Sequence, residues 1–146
     1  MTNQIRPTRA RQIMAMHKPR GWRIVMGGAQ QRGASVLCDW GIKTLFVPLV
    51  CDDYSLHVYL HEVGHVRLRH GRSTAPSHVI EYEAERWAFG ALRAAGFKVT
   101  SIIRRSSKAY VAEEVKKDRI MGLPIDPKVR SWATRKSRSL RVKSVS

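Results

Sequence analysis

A stretch near the middle of the chain, LHEVGHVRLRHG at residues 60–71, combines three histidines with a glutamate. His61 and His65 are four residues apart, so on a helix their imidazoles project from one face about one turn apart. At that spacing both rings can bind one Zn²⁺, with Zn–N distances of about 2.0–2.1 Å. Glu62 completes the pattern His-Glu-x-x-His, and its carboxylate can take a proton from a water that the metal activates. The pattern predicts a metal-dependent hydrolytic centre, and the other interpretation is a solvent-facing helix with polar histidines.

A second group of acids offers the ligand that two histidines lack. Two histidines do not complete a zinc site, and EYEAERWA at residues 81–88 carries Glu81 and Glu85 one helical turn apart. One of these carboxylates can bind the metal while the other accepts the N–H of a metal-bound imidazole and fixes its orientation. Glu83 is expected to point to solvent. The alternative is that Glu81 and Glu85 are surface acids that pair with nearby arginines.

Taken together, HEVGHVRLRHG and EYEAERWA resemble the gluzincin pattern, in which His-Glu-x-x-His is followed by Glu-x-x-Ala-Asp. Zinc metallopeptidases of the ImmA/IrrE type, common in phages and mobile elements, have this pattern, and so do membrane proteases of the HtpX type. The HtpX type spans the membrane several times, and this chain has no apolar run of that length. The better match is therefore the ImmA/IrrE type, and the resemblance covers about residues 42–95.

The resemblance implies a zincin-like fold and a role for individual residues. His61, His65 and Glu81 match the zinc ligands of the family, and Glu62 matches the general base. Glu85 lies where the family usually has Asp, which implies a hydrogen bond to His61 through a side chain that is one methylene longer. The implied activity is that of a zinc metalloendopeptidase, which hydrolyses peptide bonds of an intracellular protein substrate.

Other polar residues near the motif receive more general predictions. Gly64 costs about 1 kcal/mol relative to alanine inside a helix, which suggests that another backbone or a substrate approaches closely. His70 is expected to mark the C-terminal end of the helix, where a cationic side chain interacts favourably with the helix dipole, rather than to bind the metal. Spacing selects no residue to stabilise the reacting carbonyl oxygen, and three candidates stay open: Tyr54, Tyr82 and His78.

The elements around these motifs predict an α+β domain, because strand signals come first and helix signals follow. Short connections between the strands favour a small antiparallel sheet, packed on the His-Glu-x-x-His helix and on the second, glutamate-bearing helix. The strand before the motif helix, TLFVPL, is expected at an edge of the sheet, where it can pair with an extended substrate. Strands are predicted at residues 22–28, 34–40 and 42–49, and helices at residues 8–17, 77–95 and 107–120. Another helix is predicted to end near His70, with Asp52, Asp53 or Ser55 as its N-cap.

The net charge of +16 is concentrated at the two ends of the chain. All 11 acidic residues lie between Asp39 and Asp126, whereas the first 38 and the last 19 residues each contain seven basic residues and no acid. Such segments attract polyanions through counterion release, and they are equally consistent with solvated tails. We expect one domain over residues 1–146 with basic extensions at 1–21 and 128–146. The alternative to a peptidase is a nucleic-acid-associated regulatory protein with a structural or degenerate zinc site.

Composition and cysteine content indicate the compartment. A hydrophobic fraction of 43% is that of a globular protein, and the longest apolar runs have the length of strands, so no membrane association is expected. Cys38 and Cys51 are too few and too isolated for a disulfide framework or a zinc ribbon. Reduced thiols in a cytoplasmic protein are therefore expected. The sequence leaves the oligomeric state open.

Overall fold

The helices and strands form an α+β domain, as predicted. The computed structural model describes residues 2–27 and 37–135. In that part of the chain no helix is both long enough and apolar enough to cross a membrane. A short 3₁₀ turn, His70–Arg72, lies between the second and third helices. In chain order the elements are α1 (Pro7–His17), β1 (Arg23–Met26), β2 (Leu37–Asp39), β3 (Thr44–Val47), α2 (Asp53–Arg67), α3 (Ser77–Ala94), α4 (Ser101–Ile120) and α5 (Pro127–Thr134).

Side-chain caps determine where two of the central helices begin. The Asp52 carboxylate accepts a hydrogen bond from the Ser55 backbone N–H at 2.7 Å, and the Ser55 side chain bonds the Asp52 backbone in return. This capping box satisfies N–H groups that a first turn leaves free. The Thr100 hydroxyl accepts from the Ile103 N–H at 3.3 Å. Helix α4 therefore begins earlier than the predicted residue 107.

Helix α5 is not predicted by the sequence, and it lies in the segment assigned to the C-terminal basic extension. The Asp126 carboxylate accepts from the backbone N–H groups of Lys128 at 2.8 Å and Val129 at 3.2 Å, and Pro127 occupies the first turn. Val129 and Ala133 are buried against the apolar side chains of α4. This part of the predicted extension is therefore built into the domain, and the last residues of the chain lie outside the described part.

The sheet is mixed, so the prediction of an antiparallel sheet is wrong for one of its two strand pairs. Strand β1 pairs with β3 in parallel, from Arg23 opposite Thr44 to Met26 opposite Val47, and β2 pairs with β3 antiparallel. A parallel pair needs a connection of about a dozen residues or more, and the segment between β1 and β3 is long enough. Part of the predicted strand at residues 34–40 lies outside the described residues.

Strand β3 is the central strand of the order β1-β3-β2, not an edge strand. Its hydrogen-bonding groups are used on both sides, and all four of its residues are buried. The expectation that TLFVPL pairs with an extended substrate is therefore wrong, because both neighbouring positions are occupied. Among the described strands, β1 and β2 are the two at the edges.

The predicted N-terminal helix at residues 8–17 is confirmed as α1, and it contributes to the main core. Ala10, Ile13 and Met14 are buried on one side of this helix. The preceding residue Ile5 is also buried, and its backbone N–H donates to the Cys51 carbonyl at 2.9 Å. Basic residues of this segment thus surround an apolar stripe that anchors it to the domain.

Helices α2 and α3 pack closely at Gly64, which positions the two motifs opposite each other. A Cβ atom added at Gly64 would lie 3.2 Å from the Ala84 carbonyl oxygen and 3.2 Å from Cε3 of Trp87. Such contacts are tighter than ordinary van der Waals packing, so glycine permits this approach. The expected steric reason for Gly64 is confirmed: the backbone of α3 comes close.

Candidate metal centre

Helix α2 brings the two motif histidines together on one face. His61 and His65 are buried, and their Nε2 atoms are 3.0 Å apart. The rings meet edge to face with centroids 4.6 Å apart. Because both Nε2 atoms face the same point, one cation can contact both.

Helix α3 adds a carboxylate to this point. Glu81 Oε2 lies 2.9 Å from His61 Nε2 and 3.2 Å from His65 Nε2. It is buried and has no well-directed hydrogen bond, although both nitrogens are close. Burial alone would raise the pKa of Glu81, but the contacts with the two histidines outweigh it and lower the pKa to about 2. The carboxylate is therefore an anion that needs a cation beside it.

These three residues form a candidate metal-binding triad. The ligand atoms of His61, His65 and Glu81 all lie within 4.8 Å of one another, and no other such group occurs in the described part of the chain. Ligands about 2.0–2.1 Å from a tetrahedral Zn²⁺ lie a little farther apart than these atoms, so the site needs only a small opening. A buried carboxylate oxygen facing two imidazole nitrogens is the arrangement that a divalent cation satisfies, so the residues fit a metal.

In the absence of a metal, a proton stabilises the same cluster. Burial disfavours the charged form of His61, but the contacts with Glu81 and Glu85 prevail and raise the pKa of His61 to about 10. The protonated Nε2 of His61 then faces Nε2 of His65 at 3.0 Å. A metal ion must displace this proton to bind.

Glu85 lies behind His61, on the side away from the triad. Its Oε1 is 3.1 Å from His61 Nδ1, and its Oε2 is 2.8 Å from His57 Nε2 and accepts from the Ser107 hydroxyl at 2.7 Å. Burial would raise the pKa of Glu85, but the contacts with His57 and His61 hold it well below the usual value. His61 Nδ1 forms no well-directed hydrogen bond, so a small ring rotation is needed to complete the bond to Glu85.

Glu62 lies beside the triad without belonging to it. Its Oε1 is 3.8 Å from His61 Nε2, farther than Glu81. Burial raises the pKa of Glu62, although the neighbouring His61 and His65 oppose the shift. A carboxylate with a raised pKa is better suited to carry a proton during a reaction than an ordinary surface glutamate.

Two cavities flank the triad, and both reach Glu62. One, of about 300 Å³, lies between α2 and α4; the other, of about 310 Å³, lies between α2, α3 and β2. Among the described residues, no lysine or arginine lines either cavity, although the protein carries a net charge of +16. Glu62 and Tyr110 line both of them.

Tyr110 is a candidate functional residue that the sequence did not indicate. Its ring lies edge-on to His61, with centroids 5.9 Å apart. Burial raises the pKa of Tyr110, and the nearby carboxylates, Glu81 first among them, raise it further. Its hydroxyl therefore keeps its proton and can donate a hydrogen bond. In the sequence, the one available signal was that Tyr110 lies one helical turn after Ser106, which places both on the same face of α4.

The three residues left open as carbonyl-stabilising candidates have different surroundings. His78 is fully buried and bonded to Asp118, away from both cavities. Tyr82 packs edge-on against Trp132 with centroids 5.2 Å apart. Tyr54 lines the cavity between α2 and α4, where its hydroxyl is 2.9 Å from that of Ser106.

Cys38 lies on β2 and lines the cavity on the side of that strand. Burial, Glu62, Asp39 and Glu81 raise the pKa of its thiol to about 12. The thiol therefore stays protonated at neutral pH. Cys51 is exposed, and both cysteines are free, as expected.

His70 differs from its predicted surroundings, and it contacts Glu83. Helix α2 ends at Arg67, so His70 is not in its last turn; it begins the following 3₁₀ turn and is buried. Its Nδ1 lies 2.9 Å from His65 Nδ1, and its Nε2 lies 3.1 Å from Glu83 Oε2. Glu83 is exposed, as expected, with 47% of its side chain accessible, and its carboxylate also contacts His70.

Comparisons of the chain with models of protein families, with curated proteins and with solved structures found no match.

Proposed function

We propose that the protein is a zinc-dependent metallopeptidase of the ImmA/IrrE type, with a zincin-like fold, that cleaves an intracellular protein substrate in the cytoplasm. The observation that carries the proposal is the buried Oε2 of Glu81, which faces the Nε2 atoms of His61 and His65 while Glu62 lies alongside. Three converging ligands from two helices, with the Glu62 carboxylate just outside them, suit catalysis.

The number of ligands favours a catalytic site over a structural one. Structural zinc sites are usually closed by four protein ligands, whereas catalytic sites keep one position open. The described residues supply three ligands here, and two cavities lead to them. When bound, Zn²⁺ would lower the pKa of water and polarise a carbonyl group.

Glu62 is placed to handle the protons of peptide hydrolysis. As the carboxylate it accepts a proton from the attacking water, and as the acid it returns that proton to the amine that leaves. Tyr110 lines both cavities and can donate its hydroxyl proton in a hydrogen bond to the carbonyl oxygen as negative charge develops. Glu85 orients His61 through its Nδ1 atom.

Strand β2, rather than β3, is suited to pair with an extended substrate. It is at an edge of the sheet that the described strands form, and Cys38 in its centre lines the cavity that contains Glu62, His65 and Glu81. An edge strand offers unpaired N–H and C=O groups to an extended peptide. We therefore propose that the substrate backbone lies along β2.

Removing the metal should abolish cleavage without unfolding the protein. The triad residues lie on helices that the core anchors, so the metal is needed for chemistry rather than for the fold. We expect a random-sequence peptide pool, read by mass spectrometry, to be cleaved by the zinc-loaded protein, left intact after chelation, and cleaved again once Zn²⁺ is restored. Circular dichroism controls for the fold, and full cleavage by the metal-free protein would contradict the proposal.

Nucleic-acid binding is a second candidate function, and the described basic side chains favour it. The ion pairs of lysine or arginine in residues 2–27 and 37–135 are Lys116–Glu113 and Lys117–Glu114, both on α4. The other lysines and arginines in these ranges have no acidic partner within ion-pair distance. Unneutralised cations attract phosphates, and they are compatible with a peptidase that acts on a nucleic-acid-bound substrate.

One group of these cations lies where α4 meets the end of α5. Lys108 Nζ donates to the Arg135 carbonyl at 2.9 Å and lies over the Trp132 ring. Burial, and then the nearby charges of Arg104 and Arg135, lower the pKa of Lys108. These like charges form a positive patch, and a bound anion would reduce the repulsion between them.

Binding to a random-sequence DNA duplex should be weak and strongly dependent on salt. We expect the logarithm of affinity to fall linearly with the logarithm of salt concentration, with a slope of about −0.9 for each phosphate contact. A chain that ends at Arg135 lacks four of the basic residues and should show a shallower slope. Fluorescence anisotropy measures both, and affinity that is unaffected by salt would contradict a phosphate contact.

A further inference from the structure

Two side chains, His70 and Glu83, lie in line behind His65, on the side away from the triad. His65 Nδ1 and His70 Nδ1 are 2.9 Å apart, and His70 Nε2 and Glu83 Oε2 are 3.1 Å apart. His65 and His70 are both buried, and the Glu83 side chain is 47% exposed. These contacts therefore connect a candidate metal ligand to a carboxylate at the surface.

The chemistry of these atoms fixes which of them carry protons. An ionised carboxylate can only accept, so His70 Nε2 donates to Glu83. In a neutral imidazole one nitrogen donates and the other accepts, so His70 Nδ1 accepts. The hydrogen between the two Nδ1 atoms therefore belongs to His65, and the Nε2 atom of His65 is left with a free lone pair facing Glu81 and His61.

We propose that His70 and Glu83 are positioning residues for His65: they hold its tautomer and ring orientation so that Nε2 is ready to bind the metal. This inference rests on the proposed metal site. Metal-bound imidazoles commonly donate their second N–H to such a partner, which orients the ring and raises the basicity of the ligand. Glu85 has the same relation to His61.

His70 reaches this position because the chain reverses after α2. On a continuous helix a residue five places after His65 would lie about 140° around the axis, away from the His65 ring. Arg69 adopts the left-handed conformation, with φ 57° and ψ 39°, and turns His70 back over α2. Gly71 permits the turn to pack on Trp40, since an added Cβ would lie 2.5 Å from the indole.

His70 is not a third ligand in this arrangement. Its Nδ1 contacts the ring nitrogen of His65 that faces away from the triad, and it is outside the group of atoms within 4.8 Å of one another. A positioning role and a ligand role therefore predict different mutant series. Loss of a positioning partner weakens the site, whereas loss of a ligand dismantles it.

The test is the affinity of the full-length protein for Zn²⁺, measured by competition with a chromogenic chelator. We expect His70→Ala to weaken affinity by about 10–100-fold, the usual effect of losing such an outer partner. His70→Asn should recover most of this loss, since its amide oxygen can accept from His65 Nδ1. Glu83→Ala should weaken binding in the same direction. With Co²⁺ as the probe, the visible absorption bands of His70→Ala should shift, because they report the geometry of the ligands.

Matched controls separate positioning from general damage. His17→Gln and Glu113→Gln change a histidine and an exposed acid away from the site and should leave affinity unchanged. Should His70→Ala fail to fold, Glu83→Ala decides, because Glu83 is half exposed and its loss leaves no cavity. Unchanged affinity and an unchanged Co²⁺ spectrum in folded His70→Ala or, failing that, in Glu83→Ala would overturn the inference while the proposed function stands.

Two other outcomes are distinct. If His70→Ala removes binding as fully as His61→Ala while Glu81→Ala retains it, His70 is a ligand and the positioning role is wrong. If the wild-type protein binds neither Zn²⁺ nor Co²⁺, the proposed function fails and the inference fails with it.

Discussion

Glu62→Gln should lower the rate of peptide cleavage by about 10²–10⁴-fold, the usual contribution of a general acid–base residue. Glutamine has nearly the same shape but cannot accept a proton from water, and Glu62 lies beside the triad rather than in it. Affinity for Zn²⁺ should therefore be retained. The rate is measured on the random-sequence peptide pool with the zinc-loaded protein.

The matched control for this variant is Glu113→Gln, which neutralises an exposed carboxylate on α4. It should cleave at the wild-type rate, which would show that the loss of one negative charge does not by itself explain the lower rate of Glu62→Gln. If Glu62→Gln retained activity with zinc bound, Glu62 would not be the general base.

His78→Ala should destabilise the fold by about 1.5–3 kcal/mol, the usual contribution of a hydrogen bond to a charged group. His78 is fully buried. Its ring Nδ1 and its backbone N–H both donate to Asp118 Oδ2, at 2.7 Å and 2.9 Å. Its Nε2 accepts from the Asp126 N–H at 3.1 Å. This residue thus joins the start of α3 to the end of α4 and to the cap of α5. Urea unfolding followed by circular dichroism measures the change in the free energy of unfolding.

The same pair should make the fold sensitive to acid. Burial would raise the pKa of Asp118, but the hydrogen bonds from the His78 backbone and ring hold it below the usual value. Its contribution to stability is therefore present above the ordinary Asp pKa and is lost as the pH falls through the lowered one. His17→Ala, at a partly buried histidine outside this pair, should cost less than about 1 kcal/mol. Equal unfolding free energies of wild type and His78→Ala would contradict a structural role.

The ligand-bearing part of the site could be predicted because it is encoded locally. The four-residue spacings of His61 and His65, and of Glu81 and Glu85, determine a helix face without reference to the rest of the chain. Gly64 indicated a close approach because a glycine inside a helix is costly and so suggests a steric reason. Apolar periodicity and caps indicated the bounds of α1 and α3 closely, whereas α2 ends and α4 begins earlier than predicted. The missed helix α5 starts with an aspartate and a proline inside a strongly basic segment.

The remaining features depend on contacts between distant residues. Short connections favoured an antiparallel sheet, but the parallel pairing of β1 with β3 results from a longer connection that sequence spacing does not reveal. The position of Tyr110 beside His61 depends on how α4 crosses α2. The contact between His65 and His70 depends on one left-handed residue, Arg69, which no propensity would select.

The most direct test of the account is the metal content of the purified protein. Glu81 is the ligand that joins α3 to the His-Glu-x-x-His helix, and its buried Oε2 is the atom that requires a cation. We expect about one zinc ion per wild-type chain by mass spectrometry of the metals, as a catalytic site would hold. Glu81→Ala should lose it, and Glu113→Ala should keep it. A wild-type protein without stoichiometric metal, or a Glu81→Ala variant that retains it, would contradict the metal centre described above.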